Sequence, residues 1–239
     1  MQDITAKVAL ITGGTSGIGY GIAKAMVEAG MKVAITSRSA ERAAEAAQRL
    51  NTLQADSCLG LEADVKSLPA QQAAVQSCLD RFGQLDVLIA NAGVGHFAPI
   101  DQMSAEQWND TIDINLTGVF YSVKAALDAL KQSKGYIISI ASLAGTNFFA
   151  SGAAYNASKF GLVGFTQAVM LDVRHMGIKT TTIMPGSVST HFNNRTPGPS
   201  DDWKIQPEDL AQITLDLLRM HPRTLPSKVE VRPSQPPVK

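Results

Sequence analysis

Short apolar segments alternate with longer amphipathic segments along most of this chain, and this alternation predicts its secondary structure. The apolar segments predict strands at residues 8–11, 32–37, 58–63, 86–90, 136–141, 178–184 and 228–231. The amphipathic segments predict helices at residues 18–29, 40–50, 68–82, 104–131, 153–175 and 207–220. Strands that alternate with helices are joined by crossover connections, which produce a parallel sheet with helices on both faces. Nearly continuous apolar strands are expected when both faces are covered.

Residues at the ends of the predicted helices support these boundaries. Ser39 is placed to cap the second helix, and Ser104 with Gln107 has the spacing of a capping box ahead of the fourth. Pro207 stands where the last helix begins, a position that tolerates the missing N–H of proline. Gly83 follows the third helix directly, as a C-terminal glycine commonly does.

The elements fit one doubly wound, Rossmann-like α/β domain of about seven strands over residues 1–239. Residues 187–205 interrupt the alternation, because they contain Pro197, Gly198 and Pro199 and have no clear period. Long irregular segments in compact domains are often lids or binding loops, so we predict a substrate loop here. Residues 222–239 hold five of the 11 prolines and are predicted to form an extended strap that lies on a neighbouring subunit.

Charge and composition narrow the class of protein. The chain of 239 residues carries 21 basic and 21 acidic residues, so its formal net charge is zero. Nucleic-acid-binding proteins usually carry a basic excess, so we predict no nucleic-acid partner. Apolar residues make up 45% of the chain and charged residues 18%, which is typical of a folded protein and not of a disordered one.

The sequence also bears on location and cross-linking. No apolar run approaches the roughly 18–20 residues of a membrane span, so we predict no membrane association. The start of the sequence has an early acid, Asp3, and no basic region ahead of an apolar run, which argues against a secretory signal. Cys58 and Cys78 are too few for a disulfide framework, and we interpret them as free thiols in a reducing compartment. These features predict a cytoplasmic protein.

A glycine-rich turn, TGGTSGIG at residues 12–19, joins the first strand to the first helix. Glycines there let the backbone approach a ligand closely, and the helix N-terminus offers free N–H groups to a pyrophosphate. The spacing is G-x-x-x-G-x-G and not G-x-G-x-x-G, and a tight turn that needs positive φ is the alternative interpretation. The residues predicted to contact a dinucleotide here are Thr12, Gly13, Thr15, Ser16, Gly17, Ile18 and Gly19.

The end of the second strand indicates which dinucleotide binds. Folds that select NAD place a carboxylate there, whereas this strand ends at Ser37 and is followed by Arg38. An arginine suits a ribose 2′-phosphate, so we predict NADP(H) in preference to NAD(H). A solvated arginine at the start of a helix is the alternative. Asp64, after the third strand, is a candidate acceptor for the adenine amine.

Three polar residues are candidates for the chemistry. Tyr155 and Lys159 are four apart on a strongly helical segment and share one face, although such a pair is common on helix surfaces. Ser142 follows the fifth strand, at the edge where open α/β sheets bind ligands. A phenol with a pKa of ~10 becomes a better acid–base group when positive charge favours the phenolate. Together these residues offer what reduction of a carbonyl by hydride requires.

The sequence resembles the short-chain dehydrogenase/reductase family in its single-domain form, over essentially all of residues 5–232. The resemblance is carried by TGGTSGIG at 12–19, Asp64-Val65, Asn91-Ala92-Gly93, Asn115 within IDINLTG, Ser142, YNASK at 155–159, and Pro185-Gly186 with Val188 and Thr190. Each motif is weak alone, but several in this order are highly specific. Some NADP(H)-preferring members also carry a basic residue in the glycine turn, where this chain has Ser16, so the preference rests mostly on Arg38.

The resemblance implies a hydride-transferring oxidoreductase with a catalytic tetrad and no metal ion. Tyr155 would donate the proton, Ser142 would orient the carbonyl, Lys159 would hold the nicotinamide ribose and lower the pKa of Tyr155, and Asn115 would support a water that relays protons. The segment of Asn91, Ala92 and Gly93 would steady the fourth strand beside the cofactor, and Thr190 would meet the nicotinamide carboxamide. Val65, Pro185, Gly186 and Val188 complete the implied cofactor site.

The predicted substrate pocket has an aromatic and neutral wall, which suggests a hydrophobic ketone, aldehyde or acyl chain. Its candidate residues are Val94, His96, Phe97, Phe148, Phe149, Phe192 and Trp203. Each of these side chains could instead pack a loop onto the core, and a lone histidine such as His96 is more often structural.

The leading hypothesis is therefore an NADPH-dependent carbonyl reductase, similar to 3-oxoacyl carrier-protein reductases. The same residues allow an NAD(P)-dependent alcohol dehydrogenase that works in the oxidative direction. A non-catalytic dinucleotide-binding sensor is a third hypothesis, although a pure binder needs neither Tyr155 nor Ser142. The resemblance further implies a homodimer or homotetramer in which helices 104–131 and 153–175 pair across a two-fold axis.

Overall fold

Seven parallel strands form one sheet within residues 2–235, the part of the chain that the computed structural model describes, apart from the side chain of Asn194. The strands are β1 (Val8–Thr12), β2 (Lys32–Ser37), β3 (Cys58–Glu62), β4 (Val87–Ala90), β5 (Tyr136–Ile140), β6 (Lys179–Pro185) and β7 (Lys228–Val231). The helices are α1 (Gly17–Glu28), α2 (Ala40–Asn51), α3 (Leu68–Phe82), α4 (Ala105–Ile112), α5 (Gly118–Ser133), α6 (Ala153–Val173) and α7 (Pro207–Arg219). The predicted doubly wound α/β class is confirmed.

The sheet has a reversal in strand order that creates a crevice. The order is β3-β2-β1-β4-β5-β6-β7, and all pairs are parallel. The chain winds outward from β1 through β2 to β3 and then returns to the other side of β1 for β4 to β7. Ligands of open α/β sheets bind outside the carboxyl ends of the strands at such a reversal.

Alternating side chains of the strands divide the core into two layers. Ile11 of β1 packs among Ile22 of α1, Leu50 of α2 and residues of α7 on one face. Leu10, its neighbour in sequence, lies in the second cluster with residues of α3, α5 and α6. Helices therefore cover both faces of the sheet, which explains why its central strands β1, β4 and β5 are almost entirely buried and apolar.

The predicted helix boundaries are largely confirmed. The Ser39 hydroxyl accepts a hydrogen bond from the Arg42 N–H at 3.2 Å, as expected for a cap of α2. Ser104 and Gln107 form both hydrogen bonds of the predicted capping box. Gly83 ends α3 with a φ of 80°, a left-handed conformation that glycine adopts readily.

The helix predicted at residues 104–131 is present as one helical path over 105–133, but it contains a π-helical turn that the sequence did not predict. A π-helical turn over Asp113–Thr117 separates α4 from α5. A Cβ atom on Gly118 would lie 2.9 Å from Val65, so the chain passes the loop after β3 very closely where α5 begins. The helix predicted at residues 153–175 likewise ends at Val173 and continues as a short 3-10 turn. Isolated π turns occur often at functional sites.

Both cysteines of the chain are free thiols in the core. Cys58 and Cys78 are free and buried, and burial raises the pKa of each thiol to about 12, so neither is a reactive thiolate.

The predicted strap at residues 222–239 contains β7 at the edge of the sheet, whereas its residues 236–239 lie outside the described part. Its contact with a neighbouring subunit stays a prediction. In residues 2–235 no helix is long and apolar enough to cross a membrane.

Candidate active site

A cleft of about 880 Å³ opens at the carboxyl edge of the sheet, around the reversal between β1 and β4. The predicted site residues that line it are Gly13, Thr15, Ser16, Gly17, Ile18, Ser37, Arg38, Val65, Asn91, Ala92, Gly93, Val94, His96, Ser142, Tyr155, Lys159, Pro185, Gly186, Val188, Thr190 and Phe192. No carboxylate of residues 2–235 lines the cleft, whereas two arginines and one lysine do. The cleft is therefore suited to a polyanionic ligand.

The glycine turn has the conformation that its sequence requires. Gly13 and Gly17 adopt φ values of 65° and 55°, which disfavour a side chain at either position. Ser16 stands at the N-cap of α1 and makes no capping hydrogen bond with its side chain, so the first N–H groups of α1 have no side-chain partner there. The turn therefore combines a tight backbone path that glycine permits with N–H groups that an anion can reach.

Two predicted contacts of this turn, Thr12 and Gly19, do not line the cleft but build its wall. The Thr12 hydroxyl accepts hydrogen bonds from the N–H groups of Asn91 and Ala92 at 3.0 and 3.1 Å. The Asn91 amide donates to the carbonyls of Thr12 and Gly13 at 2.9 and 3.1 Å. A Cβ atom on Gly19 would lie 2.5 Å from that amide nitrogen. Asn91 therefore fastens the end of β4 to the turn, and Gly19 leaves room for it.

The end of β2 carries positive charge and no acid. Arg38 is exposed and lines the cleft, and Arg42 in the first turn of α2 lines it as well. Arg42 is a site residue that the sequence analysis missed, although its place in the first turn of the helix after β2 was a usable signal. Neither guanidinium forms an ion pair with a carboxylate in the described part of the chain.

Asp64, predicted to meet an adenine, does not line the cleft. Its carboxylate accepts a hydrogen bond from the Lys66 N–H at 2.9 Å, and its carbonyl accepts one from the Gln71 side chain at 3.1 Å. These contacts organise the turn between β3 and α3. The adjacent Val65 does line the cleft.

Ser142, Tyr155 and Lys159 converge on one wall of the cleft. The Lys159 ammonium lies 5.7 Å from the centroid of the Tyr155 ring and donates a hydrogen bond to the Ile140 carbonyl at 3.1 Å. The Ser142 side chain, just after β5, lies close enough to the Tyr155 phenol to lower its pKa against the effect of burial. The Ser142 hydroxyl, the Tyr155 phenol and the Lys159 ammonium thus lie close together beyond the end of β5.

Asn156 holds α6 against the segment after β5, and it is a positioning residue that the sequence analysis missed. Its buried amide donates hydrogen bonds to the carbonyls of Ala144 and Asn147 at 2.8 and 2.7 Å. A Cβ atom on Gly145 would lie 2.7 Å from the Lys159 carbonyl, so the two segments are in close contact. The usable signal was its place between Tyr155 and Lys159 in the YNASK motif.

Asn115 lies in the π-helical turn, fully buried, and does not line the cleft. Its amide oxygen accepts a hydrogen bond from the Val94 N–H at 2.8 Å, and its amide nitrogen donates to the Val94 carbonyl at 2.9 Å. The same nitrogen donates to the Ser158 hydroxyl at 3.0 Å. The side chain therefore braces the segment after β4 against α6.

Burial controls the proton affinities of the site. Burial lowers the pKa of Lys159 to about 8, because the charged ammonium is removed from water. Burial also raises the pKa of Tyr155, and the nearby Ser142 side chain opposes that rise only in part. The expected lowering of the Tyr155 pKa is therefore not produced by the protein groups alone. At neutral pH Tyr155 holds its proton and Lys159 is mostly charged.

We expect Lys159→Met to raise the free energy of unfolding at neutral pH by about 1–3 kcal/mol. The fall of the Lys159 pKa from 10.5 to about 8 corresponds to about 3 kcal/mol, from which one lost hydrogen bond subtracts about 1 kcal/mol. Between those pKa values the unfolded chain holds the proton that the folded chain releases, so the wild type gains stability as the pH rises. Urea unfolding at several pH values should show the advantage of the variant shrinking across that window.

Lys228→Met, at an exposed position on β7, is the matched control for this measurement. It should change stability by less than about 0.5 kcal/mol with no such pH dependence. An advantage of Lys159→Met that stays constant with pH would show that burial of charge at Lys159 carries no such penalty.

The substrate loop predicted at residues 187–205 is irregular and closed at its base. A parallel bridge joins Val188 to Ile205, and the Ser189 N–H donates to the Ile205 carbonyl at 2.9 Å. Thr190, near the start of the loop, lies against the glycine turn: a Cβ atom on Gly17 would be 3.3 Å from its side chain. Phe192 in this loop faces the Tyr155 ring, with 5.9 Å between ring centroids.

The predicted aromatic residues occupy different places around Tyr155. Phe97 packs edge-on against the Tyr155 ring, with 5.3 Å between the ring centroids. The Phe149 ring lies on Phe97, with 5.9 Å between those two centroids. Phe149 and Trp203 line a second cavity of about 570 Å³, which shares Ser142 and Tyr155 with the cleft. Phe148 is 86% exposed and lines neither cavity.

His96 lines the cleft and is also held by a carboxylate. Its Nε2 atom lies 3.0 Å from one oxygen of Asp110, and the Lys66 ammonium lies 3.2 Å from the other. Partial burial alone would raise the pKa of Asp110, but the hydrogen bonds of His96 and Lys66 hold it below its usual value. The histidine is thus part of an ion-paired group at the rim.

The chain resembles known oxidoreductases in sequence and in fold. The family model for short chain dehydrogenases matches residues 7–199. An uncharacterized oxidoreductase of Staphylococcus saprophyticus is 32% identical over 238 residues, covering 98% of this chain and all of that protein. An alcohol dehydrogenase from the archaeon Thermococcus sibiricus, solved with 5-hydroxy-NADP, superposes with a TM-score of 0.91 at 28% identity, covering 98% of this chain and all of that one.

A second solved structure matches nearly as well. The 3-ketoacyl-(acyl-carrier-protein) reductase from Brucella melitensis, solved with NADH, superposes with a TM-score of 0.87 at 26% identity. The match covers 97% of this chain and 98% of that one. The likeness in fold therefore extends over nearly the whole chain.

Proposed function

Because the chain belongs to the short-chain dehydrogenase family, we propose that it reduces a ketone, aldehyde or 3-oxoacyl carbonyl with hydride from NADPH. It is an oxidoreductase of this family, and its cofactor is a nicotinamide dinucleotide. The observation that carries the proposal is the convergence of Ser142, Tyr155 and Lys159 on one wall of the dinucleotide cleft. In the proposal, residues 1–239 act as one domain on a small-molecule substrate.

The cleft fits a dinucleotide on its own chemistry. The open N–H groups at the start of α1 suit a pyrophosphate, and the cleft contains no carboxylate from residues 2–235 to repel it. At the β2 end, Ser37 leaves room for a ribose 2′-phosphate while Arg38 and Arg42 supply charge-assisted donors. This arrangement supports the preference for NADP(H) over NAD(H). The solved neighbours include both kinds of cofactor, 5-hydroxy-NADP in the Thermococcus sibiricus enzyme and NADH in the Brucella melitensis reductase, so the preference rests on these residues.

When bound, the reduced nicotinamide supplies the hydride for the carbonyl carbon. Tyr155 gives its phenolic proton to the carbonyl oxygen, and its raised pKa keeps that proton in place until the oxygen becomes basic. The Ser142 hydroxyl donates a hydrogen bond to the same oxygen and fixes the carbonyl in reach of Tyr155. Lys159, charged at neutral pH, stabilises the phenolate that remains.

We propose a positioning role for Asn115 and not contact with the substrate. Its side-chain oxygen and nitrogen are engaged with Val94 and Ser158. The brace keeps the segment after β4 and helix α6 at a fixed separation, which holds Lys159 in the cleft. The water relay that the family resemblance implies for Asn115 stays a prediction.

A substrate screen tests the proposed function. The protein is mixed with NADPH and a panel of ketones, aldehydes and 3-oxoacyl thioesters, and loss of reduced-cofactor absorbance is followed. We expect turnover on at least one hydrophobic carbonyl. Turnover only with alcohols and oxidised cofactor would favour the dehydrogenase hypothesis. Tight dinucleotide binding without turnover in either direction would favour a sensor.

We also propose that the chain forms a homodimer or homotetramer through α4, α5 and α6. Apolar side chains project from these helices: Phe120, Phe160 and Leu171 are 45%, 43% and 55% exposed. Phe120 and Phe165 form an edge-to-face pair at 6.2 Å that links α5 to α6. Helices carrying apolar residues beyond one face are typical of an isologous interface.

Light scattering at micromolar concentration is expected to give a mass of two or four chains. Phe120→Asp should shift the mass toward one chain, because a buried, unpaired carboxylate in the interface is strongly unfavourable. Ile100→Asp is the control, since Ile100 is 77% exposed but lies outside these helices. A wild-type protein that scatters as a single chain would refute the proposed assembly.

A further inference from the structure

The second cavity extends the site beyond the hydroxyls of Ser142 and Tyr155, which it shares with the cleft. Its volume is about 570 Å³, and its walls come from the segments that follow β5, β6 and β7. Leu143, Phe149 and Trp203 make much of the wall apolar. A carbonyl held by Ser142 and Tyr155 would therefore have space for one substituent in this cavity.

One charged side chain lines this cavity in the described part of the chain. Arg232, directly after β7, contributes a guanidinium, and no carboxylate lines the cavity with it. Its Nη2 atom lies 3.1 Å from a carboxylate oxygen of Glu230, and both side chains of that pair are largely exposed. An exposed pair of this kind is worth about 0–1 kcal/mol, and the guanidinium keeps further N–H donors for another acceptor.

The sheet sets the distance between the two ends of the cavity. Ser142 follows β5 and Arg232 follows β7, and β6 lies between these strands. At ~4.8 Å between neighbouring strands, the two strand ends are on the order of 10 Å apart. A chain or ring of moderate length can therefore join a group at Ser142 to a group at Arg232.

From this juxtaposition we propose that the second cavity receives the longer arm of the carbonyl substrate and that Arg232 selects arms ending in a carboxylate. The inference rests on the proposed function and names its substrate class, an oxo acid with an apolar body. Apolar burial against Phe149 and Trp203 holds the body. The planar guanidinium matches a carboxylate with two parallel hydrogen bonds, which a neutral end group cannot form.

A series of straight-chain methyl-ketone acids of increasing length, each paired with its methyl ester, tests this inference. The ratio of kcat/KM for acid to that for ester is measured with NADPH in the wild type and in Arg232→Gln. At the chain length that spans the cavity, we expect the wild type to favour the acid by about tenfold or more. In the variant that ratio should fall about tenfold, which is the value of one hydrogen bond to a charged group.

Glu230→Gln should change the acid-to-ester ratio of kcat/KM in the opposite direction. Removing this carboxylate frees the Arg232 guanidinium and lowers its competition for the substrate, so the acid-to-ester ratio should rise a few-fold. A role of Arg232 in folding alone would not move the ratio in opposite directions in the two variants. Arg223→Gln, at an exposed position outside both cavities, is the matched control and should leave the ratio unchanged.

Added salt should reduce the wild-type preference for the acid and leave the ester unaffected, because Arg232 is 58% exposed. Equal ratios in wild type, Arg232→Gln and Glu230→Gln would overturn the inference while leaving carbonyl reduction intact. If no carbonyl is reduced at all, the proposed function fails separately. A saturated straight-chain carboxylate should still raise the melting temperature of wild type with NADP, but not of Arg232→Gln, and absence of that difference also overturns the inference.

Discussion

Tyr155→Phe is expected to lower kcat by ~10²–10⁴-fold on every carbonyl that the wild type reduces, which is the usual contribution of a general acid. The substitution removes one oxygen and keeps the ring between Phe97 and Phe192, so the packing around position 155 is retained. Only the proton for the carbonyl oxygen and the interaction of the phenol with Ser142 are lost. Steady-state turnover with saturating NADPH measures the effect.

The affinity for NADPH should stay within about twofold, because binding at the glycine turn and at Arg38 does not involve the phenol. Tyr136→Phe is the matched control: its hydroxyl is buried, lies 2.6 Å from the Thr181 hydroxyl and is outside the cleft. That variant should lose about 1 kcal/mol of stability and keep its turnover. Turnover of Tyr155→Phe within tenfold of the wild type would remove Tyr155 from the role of proton donor.

The sheet could be predicted closely from sequence because both of its faces are covered. A strand between two helical layers is a nearly continuous apolar run, and β2 begins and ends at the predicted residues. The edge strand β7 also has the predicted bounds, although exposed Lys228 and Glu230 alternate there with two valines. The third helix was also predicted to the residue, since Ser67 and Gly83 cap its ends. These signals are local, and the structure adds nothing that contradicts them.

The π-helical turn at Asp113–Thr117 could not be predicted in the same way. It inserts a wider turn into a continuous amphipathic pattern, and hydrophobic periodicity is too coarse to detect one additional residue per turn. Its cause is tertiary, namely the close approach of Gly118 to Val65 and the buried amide of Asn115 against Val94. None of these partners is near in sequence.

The chemical residues were easier to identify than their partners. Tyr155, Lys159 and Ser142 stand out by type and motif, whereas the Lys159 bond to the Ile140 carbonyl and the Asn156 bonds to the loop after β5 depend on the folded arrangement. Aromatic side chains were the least predictable group. Phe97 packs on Tyr155 while Phe148 is exposed, and both occur in irregular segments where no period indicates which way a side chain faces.

Buried positive charge connects stability with the proposed chemistry. Lys159 is buried, no carboxylate of residues 2–235 forms an ion pair with it, and burial lowers its pKa accordingly. A carboxylate beside it would stabilise the fold but would also neutralise the charge available to the phenolate of Tyr155. The site therefore keeps an unfavourable charge where the reaction uses it, as active sites commonly do.

Cofactor choice is the second large effect that we expect, with NADPH preferred to NADH by about ten- to a hundredfold in kcat/KM. One hydrogen bond from a charged group is worth ~1.5–3 kcal/mol, which corresponds to that factor. Arg38 and Arg42 are both exposed at the β2 end of the cleft, so added salt should weaken the preference. Arg38→Leu should mainly raise the KM for NADPH and leave the KM for NADH nearly unchanged.

Ser37→Asp should reverse the preference, because a carboxylate at the end of β2 repels the 2′-phosphate and accepts a hydrogen bond from a ribose 2′-hydroxyl. Arg42→Leu should have a smaller effect than Arg38→Leu, since Arg38 directly follows β2 whereas Arg42 lies in the first turn of α2. Arg223→Leu removes the same charge outside the cleft and should change neither KM. Equal kcat/KM for the two cofactors in the wild type would mean that Arg38 is solvated and makes no contact with the cofactor.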